Sequence, residues 1–77
     1  MAVVRFFAAA EDAVGTDRQE RSEPTLGALR AALVSEHPGF AGILPRCAVL
    51  VEGARVDDDH PLAATTLVDV LPPFAGG

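Results

Sequence analysis

The chemistry this chain can offer is concentrated in its last residues, Leu71-Pro72-Pro73-Phe74-Ala75-Gly76-Gly77. Pro72 and Pro73 fix φ and lack N–H groups, so a strand running into them must stop, and the chain must continue as a stiff extended arm. Gly76 and Gly77 carry no Cβ, so the tip can enter a channel too narrow for any side chain. The final group, on Gly77, is a main-chain carboxylate. At full stretch, residues 72–77 span roughly 20 Å, at about 3.3–3.6 Å per residue. The ordinary expectation for a chain end is a frayed, polar segment. An apolar strand, a rigid spacer and a side-chain-free tip instead describe a carboxylate delivered into the active site of another protein.

Other residues with chemical potential have simpler readings. Cys47 could hold a persulfide, but its inward position on a strand reads as a buried small hydrophobe. Asp57-Asp58-Asp59-His60 contains metal-ligand types, yet consecutive acids in a loop form a solvated tip, and the spacing matches no metal loop. No metal site is expected. His37 falls at a helix end, where it interacts with the helix dipole. Nothing resembles a phosphate-binding glycine loop or a nucleophile triad.

Composition narrows the partners. The formal net charge is −5 and the pI about 4.7, whereas nucleic-acid binding needs a basic footprint. No apolar run approaches the length of a membrane span, and Met1-Ala2-Val3-Val4 reads as a strand rather than a leader. A lone cysteine excludes a disulfide framework and fits a reducing compartment, so a cytoplasmic protein is expected. The chain has six arginines and no lysine, so an activated C-terminus could not acylate an ε-amine in another copy. With 77 residues, 49% of them hydrophobic, the chain supports one domain with a thin core.

The elements that must position the tail follow from periodicity. Residues 2–9 read as a strand, with Val4, Phe6 and Ala8 on a core face and Val3, Arg5 and Phe7 on the other. Residues 9–14 suit a helical turn, closed by Gly15-Thr16-Asp17. Residues 18–23 are charged and can only be an edge strand. Thr25 is a good N-cap for a helix in which Leu26, Leu29 and Leu33 share a face and Pro38-Gly39 forms the stop. Gly27 either weakens this helix or marks a close packing contact. Residues 47–51 read as a third strand, 54–56 as a short return strand, and Leu67–Leu71 as the last, with Val68 and Val70 inward and Leu67, Asp69 and Leu71 outward. The order β-β-α-β-β-β predicts an α+β domain over residues 1–71. It has a mixed sheet of about five strands and one main helix on one face, which suits a β-grasp, the ubiquitin-like fold. In that fold the first and last strands lie side by side and parallel. Phe7 and Leu71 then project from the face opposite the helix, and they are the expected partner-docking patch.

The sequence resembles the MoaD family, the small sulfur-carrier subunits of molybdopterin synthase, within the wider MoaD/ThiS group. Four motifs carry the resemblance in family order: Phe6-Phe7-Ala8, Val14-Gly15-Thr16-Asp17, Asp59-His60-Pro61-Leu62, and Leu71-Pro72-Pro73-Phe74-Ala75-Gly76-Gly77. The chain has Ala64-Thr65-Thr66 where the family usually has an Asp-Gly-Asp turn. It has Glu52 where Asn is frequent, and Arg55 where related carriers tend to be apolar. The resemblance implies that an E1-like, MoeB-like adenylating enzyme uses ATP to convert the Gly77 carboxylate to an acyl-adenylate. Sulfur supplied through a sulfurtransferase or cysteine desulfurase would then displace AMP and leave a thiocarboxylate. It also implies that residues 72–77 (Pro72, Pro73, Phe74, Ala75, Gly76 and Gly77) enter a MoaE-like large subunit, where sulfur passes to a cyclic pyranopterin. The chain would bind no cofactor itself. Sulfur carriage to thiamine, cysteine or a thio-natural product, ubiquitin-like conjugation to protein lysines, and a plain interaction domain remain open alternatives.

Overall fold

The computed structural model describes residues 1–73. The elements are β1 (Ala2–Phe6), α1 (Ala9–Val14), β2 (Arg18–Arg21), α2 (Leu26–Glu36), two 3₁₀ turns (Pro38–Phe40 and Leu44–Arg46), β3 (Ala48–Val51) and β4 (Leu67–Leu71). The strands form one mixed sheet in the order β2-β1-β4-β3. β1 pairs parallel with β4 and antiparallel with β2, and β3 pairs antiparallel with β4. This is the expected β-grasp, with α2 packed on one face of the sheet.

Alternation sorts each strand into two faces. Val4 and Phe6 on β1, Val68 and Val70 on β4, and Val49 and Val51 on β3 are buried, and they meet Leu26, Leu29 and Leu33 of α2. Phe40, delivered by the first 3₁₀ turn, is fully buried and packs edge-on against Phe6 with centroids 6.4 Å apart. β2 is the charged edge strand that its sequence Arg-Gln-Glu-Arg predicts. Its Arg21 guanidinium bridges Glu23 at 2.7 Å and Glu36 at the end of α2 at 2.8 Å. These hydrogen bonds hold both carboxyls below the ordinary glutamate range.

Three expectations are corrected. The sheet has four strands rather than about five, because residues 54–56 form no strand. Glu52 and Gly53 both take positive φ, 52° and 80°, so the chain reverses at once and leaves only a Val51–Ala54 bridge. Ala8 does not continue the core face of β1; it turns out at φ 50° and becomes exposed. Cys47 precedes β3 instead of opening it, since its N–H closes the second 3₁₀ turn on Leu44 O at 3.0 Å.

The start of α2 explains both the acidic loop and the helical glycine. A helix leaves its first N–H groups without intrahelical partners. Here Leu26 N donates to His60 O at 3.0 Å, Gly27 N to Asp58 O at 2.7 Å and Ala28 N to the Thr25 hydroxyl at 3.2 Å. The loop of residues 57–60 is therefore the helix's cap, and its acids sit where the helix dipole favours negative charge. A Cβ on Gly27 would lie 3.0 Å from Asp58 Cβ and 3.1 Å from Asp58 O. That oxygen is held by the hydrogen bond from Gly27's own N–H, so it cannot retreat without lengthening it. Gly27→Ala should therefore destabilise the fold by about 1 kcal/mol, although alanine is the better helix former by up to ~1 kcal/mol. Thermal unfolding should show a midpoint several degrees lower; an unchanged or higher midpoint would mean the loop yields freely.

Candidate functional site

The root of the tail and the sheet face beside it form one region, because β1 and β4 run parallel and end together. The register Val3–Leu67, Val4–Val68, Arg5–Asp69 and Phe6–Val70 continues with Phe7 N donating to Val70 O at 3.2 Å. One step further, Phe7 and Leu71 are neighbours on the face opposite α2, as alternation predicts. Phe7 is 36% exposed, and Met1 is the other large exposed apolar residue among those described. Leu71 is half-buried, with Ala48 of β3 in register beside it.

Of the tail, the described residues are Pro72 and Pro73. Pro72 is buried and Pro73 exposed. With Ala9, Gly42, Ile43 and Arg46 they line a recess of about 200 Å³. Phe74, Ala75, Gly76 and Gly77, which include the expected reactive carboxylate, lie outside the described residues.

The strand patterns carry one feature that sequence reasoning passed over. Arg5 and Asp69 stand opposite each other in register, and the guanidinium grips the carboxylate with two hydrogen bonds, Nε to Oδ1 at 2.6 Å and Nη2 to Oδ2 at 2.9 Å. The Arg5 guanidinium carbon also lies 5.6 Å from the centre of the Phe7 ring, within cation–π range. The hydrogen bonds that Arg5 donates to Asp69 raise the Arg5 pKa further. A signal was available. Both residues break an apolar alternation at outward positions with opposite charges, and the parallel pairing of first and last strands aligns them.

The remaining candidates resolve into structural roles. The Cys47 thiol is half-buried and donates to Ile43 O at 3.3 Å, and desolvation pushes its pKa up. Asp58 lies 2.9 Å from Arg30 Nε, off the N–H direction, as an ion contact on the surface of α2. Among the described residues no three His, Cys, Asp or Glu side chains gather as a metal site. No helix there is long and apolar enough to cross a membrane.

The ThiS family profile matches residues 4–77. Solved structures with the same fold include a provisionally named molybdopterin converting factor, subunit 1, from Pyrococcus furiosus; it is 23% identical, covering 95% of this chain and 97% of that one, with a TM-score of 0.84. The small archaeal modifier protein 1 from Methanosarcina acetivorans is 18% identical over 99% and 95% of the two chains, with a TM-score of 0.85. A chain of the complex between subunits 1 and 2 of the molybdopterin-converting factor from Helicobacter pylori is 27% identical over 99% and 97%, with a TM-score of 0.73. A comparison with curated proteins gives no significant match.

The Cys47 environment makes a direct prediction. A raised pKa leaves less thiolate, the reactive form, at neutral pH. Alkylation of the native protein by iodoacetamide at pH 7.5 should run several-fold slower than in denaturant and should accelerate as pH rises above the ordinary thiol value; equal rates in both states would show that burial does not suppress the thiolate, and a faster native rate would place the sulfur in an activating environment.

Proposed function

We propose, from the premise that the chain belongs to the ThiS family, that it is a sulfur carrier whose working group is the carboxylate of Gly77. The observation that carries this reading is that the family match runs through residue 77, so the Pro-Pro spacer and the Gly-Gly tip lie within the matched stretch. A carboxylate is a poor electrophile. Its oxygen attacks the α-phosphorus of ATP in the adenylating partner, pyrophosphate leaves, and an acyl-adenylate forms. A persulfide of a sulfurtransferase or cysteine desulfurase then attacks the carbonyl carbon and AMP leaves, giving an acyl disulfide; a thiol attacks the donor's sulfur, a disulfide forms on the donor, and the thiocarboxylate leaves. The carrier needs no general base, metal or nucleophile of its own. It supplies a reach, a tip and a docking face, and the partner supplies the positioning that makes the transfer fast.

For the acceptor, we favour a cyclic pyranopterin held by a MoaE-like large subunit. Support comes from the Helicobacter pylori relative, whose structure is a complex of two molybdopterin-converting factor subunits. Sulfur transfer to thiamine, cysteine or a thio-natural product, or conjugation to protein lysines, uses the same adenylation. Conjugates surviving denaturing electrophoresis would favour conjugation. The expected setting is the cytoplasm, where the adenylating partner and ATP are found.

Docking falls to the Phe7–Leu71 end of the outer sheet face. A partner that covers it holds the root of the tail and aims Gly77 inward. Two large apolar groups on a small acidic monomer fit an interface core.

Two experiments check this reading. Deleting Gly77, or fusing a tag after it, should abolish sulfur loading and leave thermal unfolding nearly unchanged. Intact mass after incubation with ATP, a sulfur source and the adenylating enzyme reads the replacement of oxygen by sulfur; equal loading of the deleted form sinks the proposal. Phe7→Glu or Leu71→Glu should weaken binding to the adenylating enzyme or the large subunit at least tenfold, about 1.4 kcal/mol, in a folded protein. Unchanged affinity in both, measured by titration calorimetry, removes the patch.

A further inference from the structure

The outer sheet face is organised in rows that run across the strands. In one row, Phe7, Leu71 and Ala48 are apolar. Two residues along, the row is Arg18, Arg5, Asp69 and Leu50; beyond it stand Glu20, Val3 and Leu67. The Arg5–Asp69 pair thus sits in the middle of the face whose end the proposed function assigns to docking, and Arg5 touches the exposed Phe7 through its ring face.

In the free protein this pair contributes little, because water and salt screen an exposed ion pair. Once a partner covers the face, its energetics change. Both charges lose water, and a buried pair holds its own only when its remaining donors and acceptors find partners. A guanidinium has five N–H donors. Two are engaged by Asp69, and three remain. The two side chains are also unequally open: that of Arg5 is 45% exposed and that of Asp69 is 17% exposed. A covering surface therefore meets donors, not acceptors.

We infer that the Arg5–Asp69 pair is a partner-selection element: it admits a protein surface that is apolar around the Phe7–Leu71 end and places acceptor oxygens, from a carboxylate or backbone carbonyls, opposite Arg5. A wholly apolar surface of the same shape is rejected, because covering the face would strand three desolvated N–H groups. Phe7 and Leu71 provide affinity that any partner of this face would share, and Arg5 provides the discrimination. Asp69 fixes where the guanidinium points. The inference rests on the proposed docking of this face.

The test is titration calorimetry against the adenylating enzyme of the same organism, with thermal unfolding recorded for every variant. The double variant Arg5→Leu with Asp69→Ala makes the face more apolar. It should nonetheless bind at least tenfold more weakly than the parent. The swapped variant, Arg5→Asp with Asp69→Arg, keeps an ion pair but moves the cation to the neighbouring strand, and it should lose a similar factor. A merely structural role for the pair would spare the swap. Should the double variant fail to fold, Arg5→Gln removes the fork alone and carries the same expectation. Phe7→Glu is measured alongside. If it weakens binding while the double variant or the swap binds like the parent, the selection element is overturned and the docking face stands. If Phe7→Glu, and Leu71→Glu measured with it, also bind like the parent, the docking face itself is wrong, and the inference falls with it.

Discussion

The parallel pairing of β1 with β4 is the constraint on which the rest of the molecule depends. These strands come from opposite ends of the sequence, and everything between them serves as the crossover that lets them run in the same direction. Parallel neighbours cannot be joined by a tight turn and need a long connection, usually with a helix on one face. Here α2 fills that role and seals Val4, Phe6, Val68 and Val70 against water, each at most 2% exposed. Because the pair is central in the sheet and its strands end together, the chain leaves β4 at Leu71 beside the end of the first strand. The tail's root and the outward face of β1 are thereby fixed to each other by main-chain hydrogen bonds, whatever the side chains on that face.

Much of this was legible in the sequence, and the reasons differ by element. The helix declared itself through Thr25 and three leucines at helical spacing, and the charged edge strand through the absence of anything to bury. Phe7 and Leu71 were placed correctly because a period of two leaves no freedom once Val4 and Val68 are assigned inward. Two of the three misreadings occur where the backbone leaves ordinary φ; the third, Cys47, has ordinary extended dihedrals and is taken up by the preceding 3₁₀ turn. Residues 54–56 look extended, but two successive positive-φ residues before them spend the reversal within a single bridge. Ala8 continues an alternation that its own φ of 50° ends. An alanine or glutamate at positive φ has no sequence signature, unlike glycine or asparagine. The tail was legible as chemistry rather than as structure, since its meaning lies in what prolines and glycines permit.

The acidic loop shows how a motif with ligand-type residues can be consumed by folding. Asp57-Asp58-Asp59-His60 contributes main-chain carbonyls, not side chains, to the first N–H groups of α2. The acids stand at the positive end of the helix dipole, and the Asp58 carboxylate also makes the ion contact with Arg30. Gly27 is the other half of that arrangement, allowing the loop to approach more closely than a Cβ would. Residues far apart in sequence, which separately looked like a metal candidate and a helix defect, are one packing solution.

Two of the departures from the family pattern, Glu52 and Thr66, have a similar origin, and their location bears on what distinguishes this chain; nothing in the structure explains Arg55. Glu52 sits at positive φ, where asparagine would be the easier choice, and its carboxylate accepts the Leu67 N–H at 2.6 Å while its own N–H donates to Leu67 O at 2.8 Å. In the turn before β4 the Thr66 hydroxyl accepts from Ala63 N at 2.9 Å, and Thr66 O receives the Val3 N–H that begins the β1–β4 ladder. Glu52 and Thr66 thus each supply a side-chain oxygen that satisfies a main-chain donor at a chain reversal, a local substitute for the usual turn chemistry. Both lie at the start of β4, the end of the sheet away from the tail. The residues around the tail's root face no such demand, because the ladder there closes through the main chain alone. Side-chain identity on the outer face from Arg5 to Leu71 is therefore free to answer to whatever covers it, while identity at the opposite end answers to the fold.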